Sequence, residues 1–85
     1  MYDVVIKKKV NRFIDSLQNS EKIREKLKRL EDFKSGKRLG LDIERVKGMN
    51  KNRYRVRIGD VRYLFEVAKI KIFVDGADYR GRVYK

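Results

Sequence analysis

The apolar residues in the first third of the chain follow a strand period and then two helical periods. Apolar side chains at alternate positions from Tyr2 to Ile6 predict a short β-strand. The i, i+3, i+4, i+7 spacing of a one-sided helix follows at Val10, Phe13, Ile14 and Leu17. A second apolar stripe lies at Ile23, Leu27, Leu30 and Phe33. The pattern therefore predicts one strand followed by two amphipathic helices.

Polar residues and glycine indicate where the second helix begins and ends. Ser20 is placed to cap its start, and Gly36 is placed to end it. Glu25 and Arg29 have the i, i+4 spacing of a helical ion pair. Because only a short connection near residues 18–20 separates the two helices, they are expected to form a helical hairpin.

Beyond Gly40 the apolar period changes from that of a helix to that of a strand. Strands are predicted at residues 42–47, 53–58, 61–67 and 70–75, with turns at 48–52 and near 68–69. Gly59 and Asp60 have the composition of a two-residue hairpin loop. Residues 1–85 are thus predicted to form a single α+β domain, an antiparallel sheet meander with the two-helix hairpin packed on one face.

The two-residue loop fixes which residues face each other across this hairpin. One side is apolar and suited to face the helices, with the pairs Ile58–Val61, Val56–Tyr63 and Tyr54–Phe65. The other side carries the pairs Arg53–Glu66, Arg55–Leu64 and Arg57–Arg62. Like charges directly opposite each other destabilise a sheet. Placing Arg57 opposite Arg62 therefore predicts a face whose role is to hold an anion.

The net charge of the chain is +12, with +4 in residues 1–44 and +8 in residues 45–85. Such a basic chain is expected to bind a polyanion. There is no cysteine and no histidine, which excludes disulfides, Cys/His zinc sites and catalysis by either side chain. No apolar run has the length of a signal peptide or a membrane span, so we expect a cytoplasmic protein without a membrane partner.

The C-terminal segment DYRGRVYK adds basic and aromatic residues to this picture. In an extended chain, Arg80, Arg82 and Tyr84 point the same way. Arginine suits phosphate groups and aromatic rings suit bases. Together with the arginine face, the segment therefore favours recognition of a phosphodiester such as RNA.

Residues 46–67, VKGMNKNRYRVRIGDVRYLFEV, resemble the RelE branch of the RelE/ParE toxin superfamily. The shared features are a glycine a few residues before a tyrosine, a basic–apolar–basic strand, a Gly-Asp turn and an arginine soon after it. The tail, with Arg80 and then Tyr84, resembles the closing Arg…Tyr of that family. The β-α-α-β-β-β order of the family covers the whole chain.

The resemblance implies the toxin of a type II toxin–antitoxin system, a metal-independent mRNA interferase. Such a toxin is an endoribonuclease that cleaves mRNA in the ribosomal A site and is inhibited by a cognate RelB-like antitoxin. Catalytic roles are implied for Arg55, Arg57, Arg62, Arg80 and Tyr84. RNA contacts are further expected from Lys51, Arg53, Tyr79 and Arg82. No cofactor is expected.

The chemistry of metal-free RNA cleavage is consistent with these residue types. The 2′-hydroxyl of RNA can itself attack the adjacent phosphate, and fixed arginines can stabilise the charge that develops. Arginine cannot accept the proton, and it stands where relatives often have lysine. Tyr84 is therefore the candidate proton acceptor, because neighbouring arginines favour an ionised tyrosine. Other candidates are Tyr79, Tyr63, a lysine such as Lys51, or the ribosome and substrate themselves.

Two functions of other classes also fit the sequence. A ParE-like toxin would bind and inhibit DNA gyrase without an active site, although it would have no need of the five implied catalytic residues. A non-catalytic RNA- or ribosome-binding module would use the same arginines only as phosphate contacts.

Overall fold

A computed structural model describes residues 1–48 and 52–79. In chain order, the elements are β1 (Asp3–Ile6), α1 (Lys8–Asp15), α2 (Ser20–Lys28), a 3₁₀ turn (Arg29–Asp32), β2 (Asp42–Arg45), β3 (Arg53–Ile58), β4 (Val61–Ala68) and β5 (Lys71–Tyr79). Each predicted helix and strand is present. The predictions for Lys51, Arg80, Arg82 and Tyr84 lie outside the described residues.

The strands form one five-stranded sheet in the order β1-β5-β4-β3-β2. Strands β2 to β5 are an antiparallel meander, and β1 pairs in parallel with β5. The predicted α+β fold is confirmed. The meander has the four strands β2 to β5, whereas the β-α-α-β-β-β order has three strands after the helices. Strand β1 extends the sheet beyond β5. Two parallel strands need a long connection between them. Here the chain between β1 and β5 contains the helical hairpin and strands β2 to β4.

The core lies between the helices and one face of the sheet, which we call the inner face. Its buried residues come from the helical stripes and from alternate positions of β3, β4 and β5, namely Val10, Ile14, Ile23, Leu27, Leu30, Val56, Ile58, Val61, Tyr63, Phe65, Ile72 and Val74. No polar or charged residue is buried among the described residues. Ten of these twelve residues belong to the helical stripes and to the apolar side of the β3–β4 hairpin, as the sequence predicted.

The bounds of α2 differ from the predicted ones for local reasons. The first residue of the helix is Ser20, and the N-cap position is occupied by Asn19. The carbonyl of Asn19 accepts the N–H of Ile23, but its side chain makes no capping hydrogen bond. At the other end, the chain leaves the 3₁₀ turn at Phe33, before Gly36. The Phe33 ring packs edge-on against Tyr54 and Phe65, with centroids 5.0 and 5.5 Å apart. The predictions that Ser20 caps this helix and that Gly36 ends it were therefore wrong.

The connections between the later strands fix the register of the sheet. Gly59, with φ +63°, and Asp60 form the predicted two-residue loop between β3 and β4. The next turn comes one residue later than predicted, at Lys69 and Ile70, where Lys69 has φ +58°. Ile70, predicted to lie in a strand, is instead an exposed turn residue.

One core tyrosine carries an unsatisfied polar group. The side chain of Tyr63 is fully buried, and its hydroxyl has no hydrogen-bond partner among the described residues. Burial, with a smaller contribution from neighbouring Tyr79, raises the pKa of Tyr63 to about 12 from an ordinary value of 10.0. A phenol that stays protonated at neutral pH cannot serve as a proton acceptor, and Tyr63 is therefore removed from the candidates.

Replacing this tyrosine should change the alkaline stability of the protein. Tyr63 ionises near pH 10 when unfolded but only near pH 12 when folded, so the wild type should lose stability as pH rises through that interval. Tyr63→Phe should lack this loss and should be about 1 kcal/mol more stable at neutral pH, because the unpaired hydroxyl is gone. Chemical denaturation at several pH values measures both effects. Tyr54→Phe, in the same layer but only partly buried, is the matched control, and an identical pH response in both variants would contradict the assignment.

Candidate nucleic-acid interface

The face of the sheet that points away from the core, here called the outer face, carries the arginine-rich side of the β3–β4 hairpin. The observed pairs are Arg53–Glu66, Arg55–Leu64 and Arg57–Arg62, as the sequence predicted. The apolar partners of the same strands all lie on the inner face. Because a two-residue loop leaves little freedom of register, this part of the site is fixed by the sequence of a single hairpin.

The pair of opposed arginines lies in a row of four charged residues across four strands. Asp42 of β2 is aligned with Arg57, Arg57 with Arg62, and Arg62 with Asp78 of β5. The nearest oxygen and nitrogen atoms are 3.9 Å apart for Asp42–Arg57 and 3.8 Å apart for Arg62–Asp78. The flanking carboxylates partly offset the repulsion between the two arginines. Both ion pairs are long and exposed, so they contribute little stability and are easily exchanged for another anion.

The neighbouring row adds a shorter ion pair. Glu44 of β2 is aligned with Arg55, and its Oε1 accepts a hydrogen bond from Arg55 Nε at 2.9 Å. The two rows enclose an open depression of about 170 Å³, lined by Asp42, Glu44, Arg55, Arg57 and Arg62. Sequence reasoning missed Asp42 and Glu44. The sequence did contain an indication of them, because the strand predicted at 42–47 has acidic residues at alternate positions.

Arg53 differs from the other outer-face arginines in being largely buried. Its side chain is 15% exposed, and its Nη1 and Nη2 donate to the two carboxylate oxygens of Asp75 at 2.6 and 3.0 Å. A weaker contact joins Nη1 to Glu66 at 3.5 Å. The hydrogen bond to Asp75 is the main reason that the pKa of Arg53 is raised. A guanidinium held this way joins β3 to β5, which favours a structural role over the predicted RNA contact.

Tyr79, another predicted RNA contact, lies on the opposite side of the sheet from the arginines. It is aligned with Val61 on the inner face, and its ring packs edge-on against Phe13 at 5.6 Å. The reason is a β-bulge in β5, where Val74 faces Phe65 but Gly76 already faces Leu64. The extra residue, Asp75, shifts the alternation of every later residue by one. The bulge thereby brings Asp78 to the outer face and turns Tyr79 to the inner face.

A glycine at this bulge leaves room for the side chain of Leu64, which approaches it closely. A Cβ atom added to Gly76 would lie 3.0 Å from Leu64 Cδ1. The bulge and its glycine therefore position the part of β5 that follows, including the Asp78 end of the charged row.

Within residues 1–48 and 52–79, the structure brings together three of the five implied catalytic residues, Arg55, Arg57 and Arg62. Arg80 and Tyr84, like the predicted RNA contacts Lys51 and Arg82, belong to the part of the chain outside this description. The described part contains no group of three or more acidic, cysteine or histidine residues placed to hold a metal ion. Nor does any helix in it have the length and apolar character needed to cross a membrane.

The fold has close counterparts among solved structures, although no protein-family model and no curated protein matches the sequence. A chain from the archaeal RelE–RelB complex of Pyrococcus horikoshii OT3 is 26% identical, with a TM-score of 0.76 over 96% of this chain and 98% of that one. A chain from the RelB–RelE antitoxin–toxin complex of Methanococcus jannaschii is 22% identical, with a TM-score of 0.69 over 88% of each chain.

Fold and outer face together define a small α+β protein whose sheet presents a cluster of arginines to solvent. With these structural neighbours, the chain belongs to the RelE-type toxin superfamily, as residues 46–67 predicted. The fold supports a toxin role.

Proposed function

We propose that this protein is the toxin of a type II toxin–antitoxin system and a metal-independent endoribonuclease that cleaves mRNA in the ribosomal A site. One observation supports the catalytic part most directly. Arg55, Arg57 and Arg62 converge on one depression of the outer face, and their nearest anions there are exposed carboxylates. A phosphate group is the ligand that such a set of planar, permanently charged donors suits best.

Cleavage in this proposal uses the nucleophile that RNA itself carries. The 2′-oxygen attacks the adjacent phosphorus, the bond to the 5′-oxygen breaks, and a 2′,3′-cyclic phosphate and a 5′-hydroxyl are formed. Arg55, Arg57 and Arg62 stabilise the negative charge that develops on the phosphoryl oxygens. Arg80 adds a further positive charge, and Tyr84 takes part in proton transfer or stacks on a base.

The long ion pairs of the charged row suit this role. Asp42 lies 3.9 Å from Arg57, and Asp78 lies 3.8 Å from Arg62. A phosphate bearing a full negative charge can replace these distant carboxylates as the partner of both arginines. Because these ion pairs are weak, exchanging them for a phosphate costs little free energy.

The partner that silences the toxin is proposed to be a RelB-like antitoxin. The neighbours are chains from RelB–RelE complexes, and this chain has the same fold. Its net charge of +12 favours an acidic partner. Both the toxin and its ribosomal target are proposed to be cytoplasmic.

A cleavage assay on translating ribosomes tests the proposal. Wild-type protein should cut mRNA at A-site codons to give fragments ending in 2′,3′-cyclic phosphate, and the antitoxin should stop the reaction. Gyrase-dependent DNA breaks with intact mRNA would point to a ParE-like inhibitor instead. Binding to ribosomes without any product would leave a non-catalytic RNA-binding module.

A further inference from the structure

Cleavage through the 2′-hydroxyl requires a group that removes its proton, and the arginines of the depression cannot do so. The described part of the depression offers only two side chains of another kind, the carboxylates of Asp42 and Glu44. Carboxylates are ionised at neutral pH and can accept a proton. The tyrosines of β3 and β4, Tyr54 and Tyr63, lie on the other side of the sheet.

Geometry distinguishes Glu44 from Asp42. Glu44 is held by a direct hydrogen bond of 2.9 Å between its Oε1 and Arg55 Nε. Its other carboxylate oxygen accepts no hydrogen bond from the described residues, and its side chain is 64% exposed. The nearest nitrogen to Asp42 is Arg57 Nη1, at 3.9 Å, too far for a hydrogen bond. Glu44 is therefore an oriented carboxylate with one oxygen available to a ligand in the depression.

We propose that Glu44 accepts the 2′-hydroxyl proton in the RNA cleavage described above, an inference that rests on the proposed function. The proton passes to the free carboxylate oxygen of Glu44 as the bond from the 2′-oxygen to phosphorus forms. The electron pair of the breaking bond goes to the 5′-oxygen, which takes a proton from Tyr84 or from water. Arg55 keeps the carboxylate in place, while Arg57 and Arg62 bind the phosphate that is attacked.

The groups around Glu44 allow a phosphate to lie beside it. Glu44 shares the depression with Arg55, Arg57, Arg62 and Asp42, and on its other side it borders a second hollow with Arg45, Val46 and Lys47. The three arginines of the depression can partly offset the repulsion between the carboxylate and a bound phosphate. The position of Glu44 on the edge strand β2 leaves an open approach for an RNA backbone.

The variant Glu44→Gln tests the proposal, because an amide oxygen can still accept the hydrogen bond from Arg55 but cannot take a proton. Ribosomal mRNA cleavage should fall by about 10²–10⁴-fold, the usual contribution of a general base. Affinity for an RNA with a 2′-deoxy residue at the scissile position should stay the same or increase, since a negative charge is lost. Glu66→Gln makes the same charge change on the same face and should retain cleavage within about twofold.

The possible outcomes separate the two proposals. Wild-type cleavage together with an active Glu44→Gln would overturn the role of Glu44 and leave the toxin function standing. Loss of activity in Asp42→Asn with an active Glu44→Gln would move the role to the other carboxylate and would equally overturn this inference. If the wild type produces no cyclic-phosphate fragments at all, the proposed function itself fails.

Discussion

An Arg62→Ala variant should cleave mRNA on ribosomes about 10²–10³-fold more slowly than the wild type, the cost of removing one well-placed donor to a developing oxyanion. Arg62 lines the depression and lies in the centre of the charged row, directly opposite Arg57. Its ion pair with Asp78 is 3.8 Å long, so a phosphate can replace the carboxylate at little cost. The effect should appear in the rate of single-turnover cleavage on isolated ribosome complexes.

Folding should survive this substitution. The Arg62 side chain is 33% exposed, and an exposed ion pair is worth about 0–1 kcal/mol. Loss of that pair is accompanied by relief of the repulsion from Arg57, so the free energy of unfolding should change by less than about 1 kcal/mol. Arg12→Ala, on the exposed side of α1, removes the same charge far from the outer face and should keep full activity. If Arg62→Ala unfolds while its folded fraction cleaves normally, the arginine face is structural.

The part of the site that depends on one hairpin could be predicted from the sequence. Gly59 and Asp60 allow a two-residue loop, and that loop alone determines that Arg57 faces Arg62. The side chains of one hairpin then separate into an apolar inner face and a charged outer face. No knowledge of the rest of the fold was needed for this step.

The acidic neighbours of the arginines depend on longer-range pairing and were not predicted. Asp42 and Glu44 reach the outer face because β2 pairs with β3 across the segment 46–52, whose length does not fix a register. Sequence alone therefore left the arginines without flanking carboxylates, and Tyr84 became the candidate proton acceptor. With Glu44 beside Arg55 and proposed as the acceptor, Tyr84 is instead proposed to supply the second proton.

The bulge in β5 explains the other differences. A regular strand through residues 72–79 would have placed position 79 on the outer face, the side on which an RNA contact was expected. The extra residue of the bulge, Asp75, turns position 79 to the inner face instead. Asp75 also accepts hydrogen bonds from Arg53 through both carboxylate oxygens. A bulge of this kind has no strong sequence signal beyond a glycine, here Gly76. Arg53 was predicted to pair with Glu66 and to contact RNA, because Asp75 could not be placed beside it.

Tyr84→Phe should slow cleavage by about 10²–10⁴-fold, because the phenol hydroxyl is proposed to deliver a proton to the 5′-oxygen as it leaves. The ring remains and can still stack on a base, so binding to programmed ribosomes should be unchanged. Tyr84→Ala removes the ring as well, and both cleavage and binding should weaken, with about 1–3 kcal/mol lost from stacking. Cleavage rates and ribosome affinity, measured side by side for the two variants, separate the hydroxyl from the ring.

The pH dependence of the wild-type cleavage rate shows whether Tyr84 donates a proton or accepts one. A carboxylate acceptor is already ionised and a tyrosine donor still protonated at neutral pH, so the rate should be nearly constant between about pH 6 and 8. A tyrosine acting as acceptor must first ionise, and the rate would then rise about tenfold per pH unit over the same interval. A rising profile that Tyr84→Phe abolishes would return the acceptor role to Tyr84 and exclude Glu44. A Tyr84→Phe enzyme with wild-type cleavage would show instead that the second proton comes from water or from the ribosome.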